Sequence, residues 1–146
     1  MHIYIDTPSL LDIYLYDLDD IERLKELIAL NKQREVSIWF DDNAQQEFNN
    51  LSNSDNTVHE NGWKNNYLIA NSLIAELLLN SERFHHEGIT DVQNFVIKAS
   101  VPGKRVHVVS IDDINLTKDW NRENIGKVKF YPTLKRLLNS STRFNS

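Results

Sequence analysis

The stretch Ile3-Tyr4-Ile5-Asp6-Thr7-Pro8-Ser9-Leu10-Leu11 decides how the rest of the chain is read. Its opening residues, His2 to Ile5, form an apolar run of strand length that stops at a carboxylate, Asp6. Pro8 suits the first turn of a helix, and Leu10, Leu11, Ile13, Tyr14 and Leu15 continue as a short apolar helical piece. A buried strand running directly into an acid and then a helix is the opening of a β-α unit. The same alternation recurs downstream. Asp19 or Asp20 is positioned to cap a helix through Asn31, with Ile21, Leu24, Leu27, Ile28 and Leu30 at helical spacing. Val36 to Phe40 reads as a buried strand, and Asp41-Asp42-Asn43 then caps a helix containing Glu47 and Phe48. Leu68 to Leu79 is helical, Asp91 to Ala99 is a helix capped by Thr90, and Val106 to Val109 is a strand. Val128 to Tyr131 is a last strand, before a helix that starts at Pro132 and ends near Leu138.

Strands separated by helices predict an α/β fold, a three-layer α/β/α sandwich with a mostly parallel central sheet of Rossmann-like type. The length of 146 residues predicts a single domain over 1–146. Asn49 to Asn66 is polar and predicts a surface loop, and the Ser- and Asn-rich stretch 139–146 predicts a frayed tail. Cysteine is absent, which excludes a disulfide framework, a thiolate metal site and a cysteine nucleophile. No apolar run approaches the ~18 residues of a membrane span, so the expectation is a cytoplasmic protein without a membrane partner. The net charge is −5, from 21 acidic and 16 basic residues. That argues against a protein coating nucleic acid with a broad basic surface. It leaves open an enzyme that meets phosphodiesters through cations held by its own carboxylates.

In parallel sheets, function gathers outside the carboxyl ends of the strands. The first strand runs into Asp6, the second into Asp41 and Asp42 with Glu47 one helical turn on, and the strand at Val106 into Ser110-Ile111-Asp112-Asp113. Asp91 opens the helix before that strand. Capping and the helix dipole favour acids at helix starts without any function, so Asp91 and Glu47 taken singly have a structural explanation. Asp6 is different, because a carboxylate following a buried strand needs a partner or a cation to offset its desolvation. Clustered carboxylates with oxygen donors alone select Mg²⁺ or Mn²⁺. The five histidines show no metal-ligand spacing.

The sequence resembles the PIN-domain family, metal-dependent nucleases that include bacterial toxins of the VapC type and RNA-processing enzymes. Ile3 to Tyr14 is similar to the family's first strand followed by D-T/S-x-x-L-L, and Ser37 to Phe48 to its second strand and glutamate-bearing helix. Asp91 to Ala99 resembles the helix that begins with the third acid. Val108-Val109-Ser110-Ile111-Asp112 resembles the strand ending in T/S-x-D, and Val128 to Pro132 the terminal strand. Pro8 stands where the family usually has a small polar residue. The resemblance implies an endoribonuclease that hydrolyses phosphodiester bonds, toxin-like or working in RNA processing or defence. Asp6, Asp91 and Asp112 would hold Mg²⁺ or Mn²⁺ and Glu47 a second ion or its waters. Thr7 and Ser110 would orient those carboxylates, with Asp113 a spare acid beside Asp112, which holds the T/S-x-D position. Lys98, on the face of Asp91, and Asn43 would meet the RNA substrate. A small antitoxin protein and a homodimer are the partners that the family implies. A PIN-like binding or scaffolding module without catalysis is the alternative. A receiver-like signalling domain would need a lysine at a late strand end, where none is evident.

Overall fold

In the computed structural model, residues 1–54, 64–85, 106–110 and 128–140 are described. Five strands form one sheet: β1 (His2–Ile5), β2 (Ser37–Asp41), β3 (Glu82–Phe84), β4 (Val106–Val109) and β5 (Val128–Tyr131). Their spatial order is β3-β2-β1-β4-β5, and every neighbouring pair is parallel. The helices are α1 (Leu18–Lys32), α2 (Ala44–Ser54), α3 (Lys64–Leu79) and α4 (Leu134–Leu138), with 3₁₀ turns at Thr7–Leu10 and Ile13–Leu15.

Alternation along each strand divides the apolar residues between two faces. One face joins Ile3, Ile5, Ile38, Phe40, Val109 and Tyr131 to the apolar sides of all four described helices. The other buries Tyr4, Val106, Val108 and Val128, with Trp39, Phe84 and Phe130 packed beside them. A parallel sheet buried on both faces is the middle layer of an α/β/α sandwich, which is the fold class that the sequence predicts.

Three local expectations need correction. The cap of α1 is neither Asp19 nor Asp20 but Asp17. The Asp17 side chain accepts from the Asp20 amide at 2.8 Å, and Asp20 reaches back to the Asp17 amide at 3.0 Å, a reciprocal capping box. The predicted loop begins later than Asn49, because α2 continues to Ser54 and α3 already begins at Lys64. On the exposed side of α2, Gln45 donates to Asn49 at 3.2 Å one turn on, a side-chain pair that supports a polar helix. Strand β3 was not anticipated. Its three residues, Glu-Arg-Phe, include one apolar side chain, too little for a period-two signal, and as an edge strand it needs no more. The helix predicted over Asp91 to Ala99 lies outside the described residues.

Asp20 does more than close the capping box. It is fully buried, and it receives the Lys135 ammonium together with the Asn139 amide at 2.6 Å. Arg23 adds a hydrogen bond to the Leu138 carbonyl at 3.0 Å, so α4 is tied to the start of α1. Burial by itself pushes the Asp20 carboxyl up, but the hydrogen bonds from Lys135, the Asp17 amide and Asn139 outweigh it and hold the group below the usual carboxylate range. At the other end of α1 the helix stops in a Schellman motif. The Glu35 amide reaches the Leu30 carbonyl at 3.0 Å, and the Arg34 amide the Asn31 carbonyl at 3.1 Å. Arg34 takes the left-handed position with φ 62°, where glycine is usual.

Two stability predictions follow from these ends of α1. Arg34→Gly relieves the left-handed backbone and raises unfolding stability by about 1 kcal/mol in urea titrations. Asp20→Asn loses about 2–3 kcal/mol, less than a fully buried pair because Lys135 is partly exposed. Because the folded carboxyl lies below its unfolded value of about 3.9, Asp20 contributes its stabilisation above that pH and loses it as pH falls through the lowered folded value. Denaturant midpoints measured from neutral pH downwards should therefore drop more steeply for wild type than for Asp20→Asn.

Candidate functional site

The strand order reverses beside β1. The chain builds β1, β2 and β3 outwards in one direction, then returns to place β4 against the other side of β1. That switch point leaves a crevice at the carboxyl ends of β1 and β4, where parallel sheets bind their ligands. Asp6 and Ser110 are the residues that emerge there. The ladder continues one step beyond the strands, with the Asp6 amide on the Val109 carbonyl at 2.8 Å and the Ser110 amide on the Tyr131 carbonyl at 2.8 Å.

Register then fixes a row of polar side chains. Ile5 is paired with Phe40 on one side and Val109 on the other, so Asp6 lies between Asp41 and Ser110 on the face that carries Tyr4. The Ser110 hydroxyl lies 3.5 Å from Asp6 Oδ2, at the long limit of a hydrogen bond. Thr7, expected with Ser110 to orient this carboxylate, is fully buried, and its hydroxyl makes no hydrogen bond to Asp6. Ser9 holds the segment instead, through its hydroxyl on the Asp6 carbonyl at 2.5 Å and its amide on the same oxygen at 2.9 Å. Asp6 occupies the N-cap position of the first 3₁₀ turn, but its side chain does not cap it.

Asp41 is 5% exposed and accepts the Asn43 amide at 2.8 Å, a turn that launches α2. Asn43 is therefore held by its backbone at the start of the helix, and the Glu47 amide bonds its carbonyl at 3.1 Å. Glu47 stands half-buried in the first turn of α2. Tyr4 binds these pieces together. Its ring meets Phe84 edge-on at 6.2 Å, leaning from β1 across β2 towards β3. Burial raises the phenol far above its ordinary range, and the charges of Asp6, Asp41 and Glu47 raise it further. The buried Tyr4 hydroxyl thus lies within electrostatic reach of all three carboxylates. Asp41 is the residue that sequence reasoning passed over as a site member. The available signal was its even spacing from Trp39, the register partner of Tyr4.

Just beside this row, His85 Nδ1 lies 2.8 Å from Asp42 Oδ2, and the imidazole contact holds the Asp42 carboxyl below its usual range. Among the described residues no three His, Cys, Asp or Glu side chains form a group able to hold a metal ion. Asp91, Lys98, Asp112 and Asp113 lie outside the described residues; of the expected set, Ser110 stands beside Asp6, while Asn43 and Glu47 lie at the start of α2 next to Asp41.

The raised phenols give a direct check. Tyr4 is held protonated by burial and three carboxylates, and Tyr16 by burial together with Asp12 and Asp20. In an alkaline spectrophotometric titration, Tyr4 and Tyr16 should ionise only when the protein unfolds. Tyr4→Phe should remove one of those late-titrating groups.

No family model, no curated protein and no solved structure matches this chain, so its function has to be argued from the site itself.

Proposed function

We propose that the protein is a metal-dependent endoribonuclease of PIN type. The observation that carries this reading is the carboxylate row at the switch point. Asp6 emerges there without a capping role, beside buried Asp41 and with Glu47 sharing the surroundings of Tyr4. Neighbouring acids at one end of the sheet repel each other, and a cation bound there would offset that repulsion. Their donor atoms are all oxygen, which fits Mg²⁺ or Mn²⁺ and fits zinc poorly. Asp6, Asp91 and Asp112 would hold the ion, with Glu47 and Asp41 beside them. Bound there, it would act as a Lewis acid on the phosphodiester and lower the pKa of an attacking water.

The chain's own residues have separate tasks. Asp6 anchors the site on the rigid central strand, and Ser110 fixes its rotamer from β4. Glu47 projects from α2 and orients water by accepting its protons. Tyr4, kept protonated, stiffens the floor of the site without adding charge. An antitoxin partner and a homodimer rest on the sequence resemblance alone. None of the described helices is long and apolar enough to cross a membrane.

Calorimetric titration with Mn²⁺, in the presence and absence of single-stranded RNA, tests the reading. Wild type should bind the ion, and Asp6→Asn should weaken binding by about tenfold or more. Cleavage of the RNA should fall at least about a hundredfold in Asp6→Asn, which corresponds to about 2.7 kcal/mol of lost transition-state stabilisation. Wild type that neither binds Mn²⁺ nor cuts RNA would replace this reading with a non-catalytic binding module on the same fold.

A further inference from the structure

The amino-terminal edge of the sheet, opposite the carboxylate row, contains a cavity of about 450 Å³. This lies within the range of about 300–1,000 Å³ typical of small-molecule sites. Its walls come from the end of α1 with Lys32 and Arg34, the start of β2 with Ser37, the end of α3 with Asn80, and the start of β3 with Glu82.

Two helix carboxyl ends meet here, and cations complement the negative pole of each. That accounts for Lys32, whose ammonium is already bound to Glu76 of α3. It accounts equally for the charge of Arg34, but not for a side chain at this backbone position. The left-handed turn at this position is free of strain for glycine, whereas a side chain there costs about 1 kcal/mol. Arg34 and Glu82 both line this cavity from exposed positions at its mouth, and among the described residues neither makes a side-chain hydrogen bond or ion pair. Opposite charges that share a cavity without pairing are each left to solvent or to a ligand. A simple anion would satisfy Arg34 and be repelled by Glu82, and a simple cation would do the reverse.

We propose that this cavity binds a free α-amino acid as its zwitterion. The carboxylate lies on the Arg34 guanidinium, whose planar fork accepts it in bidentate fashion. The ammonium lies on Glu82. The Ser37 hydroxyl and the Asn80 side-chain oxygen supply further polar contacts, the Asn80 amide nitrogen being bonded to the Glu76 carbonyl at 3.0 Å. The proposal is independent of the nuclease reading, because it uses the opposite end of the sheet and no residue of the carboxylate row.

Amide chemical shifts of the full ¹⁵N-labelled chain, titrated with each of the common amino acids up to about 10 mM, test it. The expected result is saturable shifts confined to residues 31–37 and 80–82 for at least one amino acid. Arg34→Gly and Glu82→Gln should each weaken that binding about tenfold or more. Arg34→Gly is also expected to be more stable than wild type, so its loss of binding cannot be ascribed to unfolding. Acetate and methylamine serve as single-charge controls and should produce no comparable shifts. Absence of saturable shifts with every amino acid overturns the proposal. Equal shifts with acetate, unchanged by Glu82→Gln, would overturn it in favour of a plain anion site.

Discussion

Parallel pairing of β1 with both β2 and β4 is the constraint on which the rest of the structure depends. A parallel neighbour cannot be reached by a tight hairpin, so each step away from β1 needs a crossover across a face of the sheet. The described helices bury one face and the other is buried as well, which is why β1 presents only apolar side chains and a fully buried tyrosine between His2 and Asp6. The same constraint produces the reversal of strand order beside β1. The first polar residue after the strand therefore has to emerge in the crevice, and that residue is Asp6.

Two buried or half-buried acids show how differently a carboxylate is accommodated in this chain. Asp20 sits at the start of α1 with an ammonium, a side-chain amide and a backbone amide converging on it, and its charge is part of the architecture. Asp6 is placed by strand register among other acids and takes no part in capping the turn that follows it. Acids brought towards each other by the sheet work against folding unless something else compensates them. That contrast, more than any single distance, separates a structural carboxylate from a candidate functional one.

Much of the sheet was legible because its inner strands are short apolar runs that end at polar residues. The strands Val106–Val109 and Val128–Tyr131 coincide with the runs read from the sequence, and β1 coincides as well. Edge strand β3 was not legible, since pairing on one side demands little of its side chains. The true cap of α1 was obscured because three aspartates fall within four residues, and only reciprocal geometry singles out Asp17. Asp6 could be singled out because desolvation after a buried strand is a physical problem visible in one dimension. Asp41 was visible as an acid at the end of the second strand, but its place beside Asp6 depends on the register between β1 and β2. Register is a property of two segments together and leaves no mark on either alone.

The tie between α1 and α4 bears on the order in which this chain can reach its native state. Asp20 bonds Lys135 and Asn139 across separations of 115 and 119 residues. During synthesis at about 5–20 residues per second, the start of α1 therefore exists for several seconds or more before its partners leave the ribosome. β1 likewise waits for β4 before its second edge is covered. The early chain is left with an unpaired carboxylate at a helix start and an open edge on its central strand. Contacts this far apart in sequence can close only after most of the chain has been made.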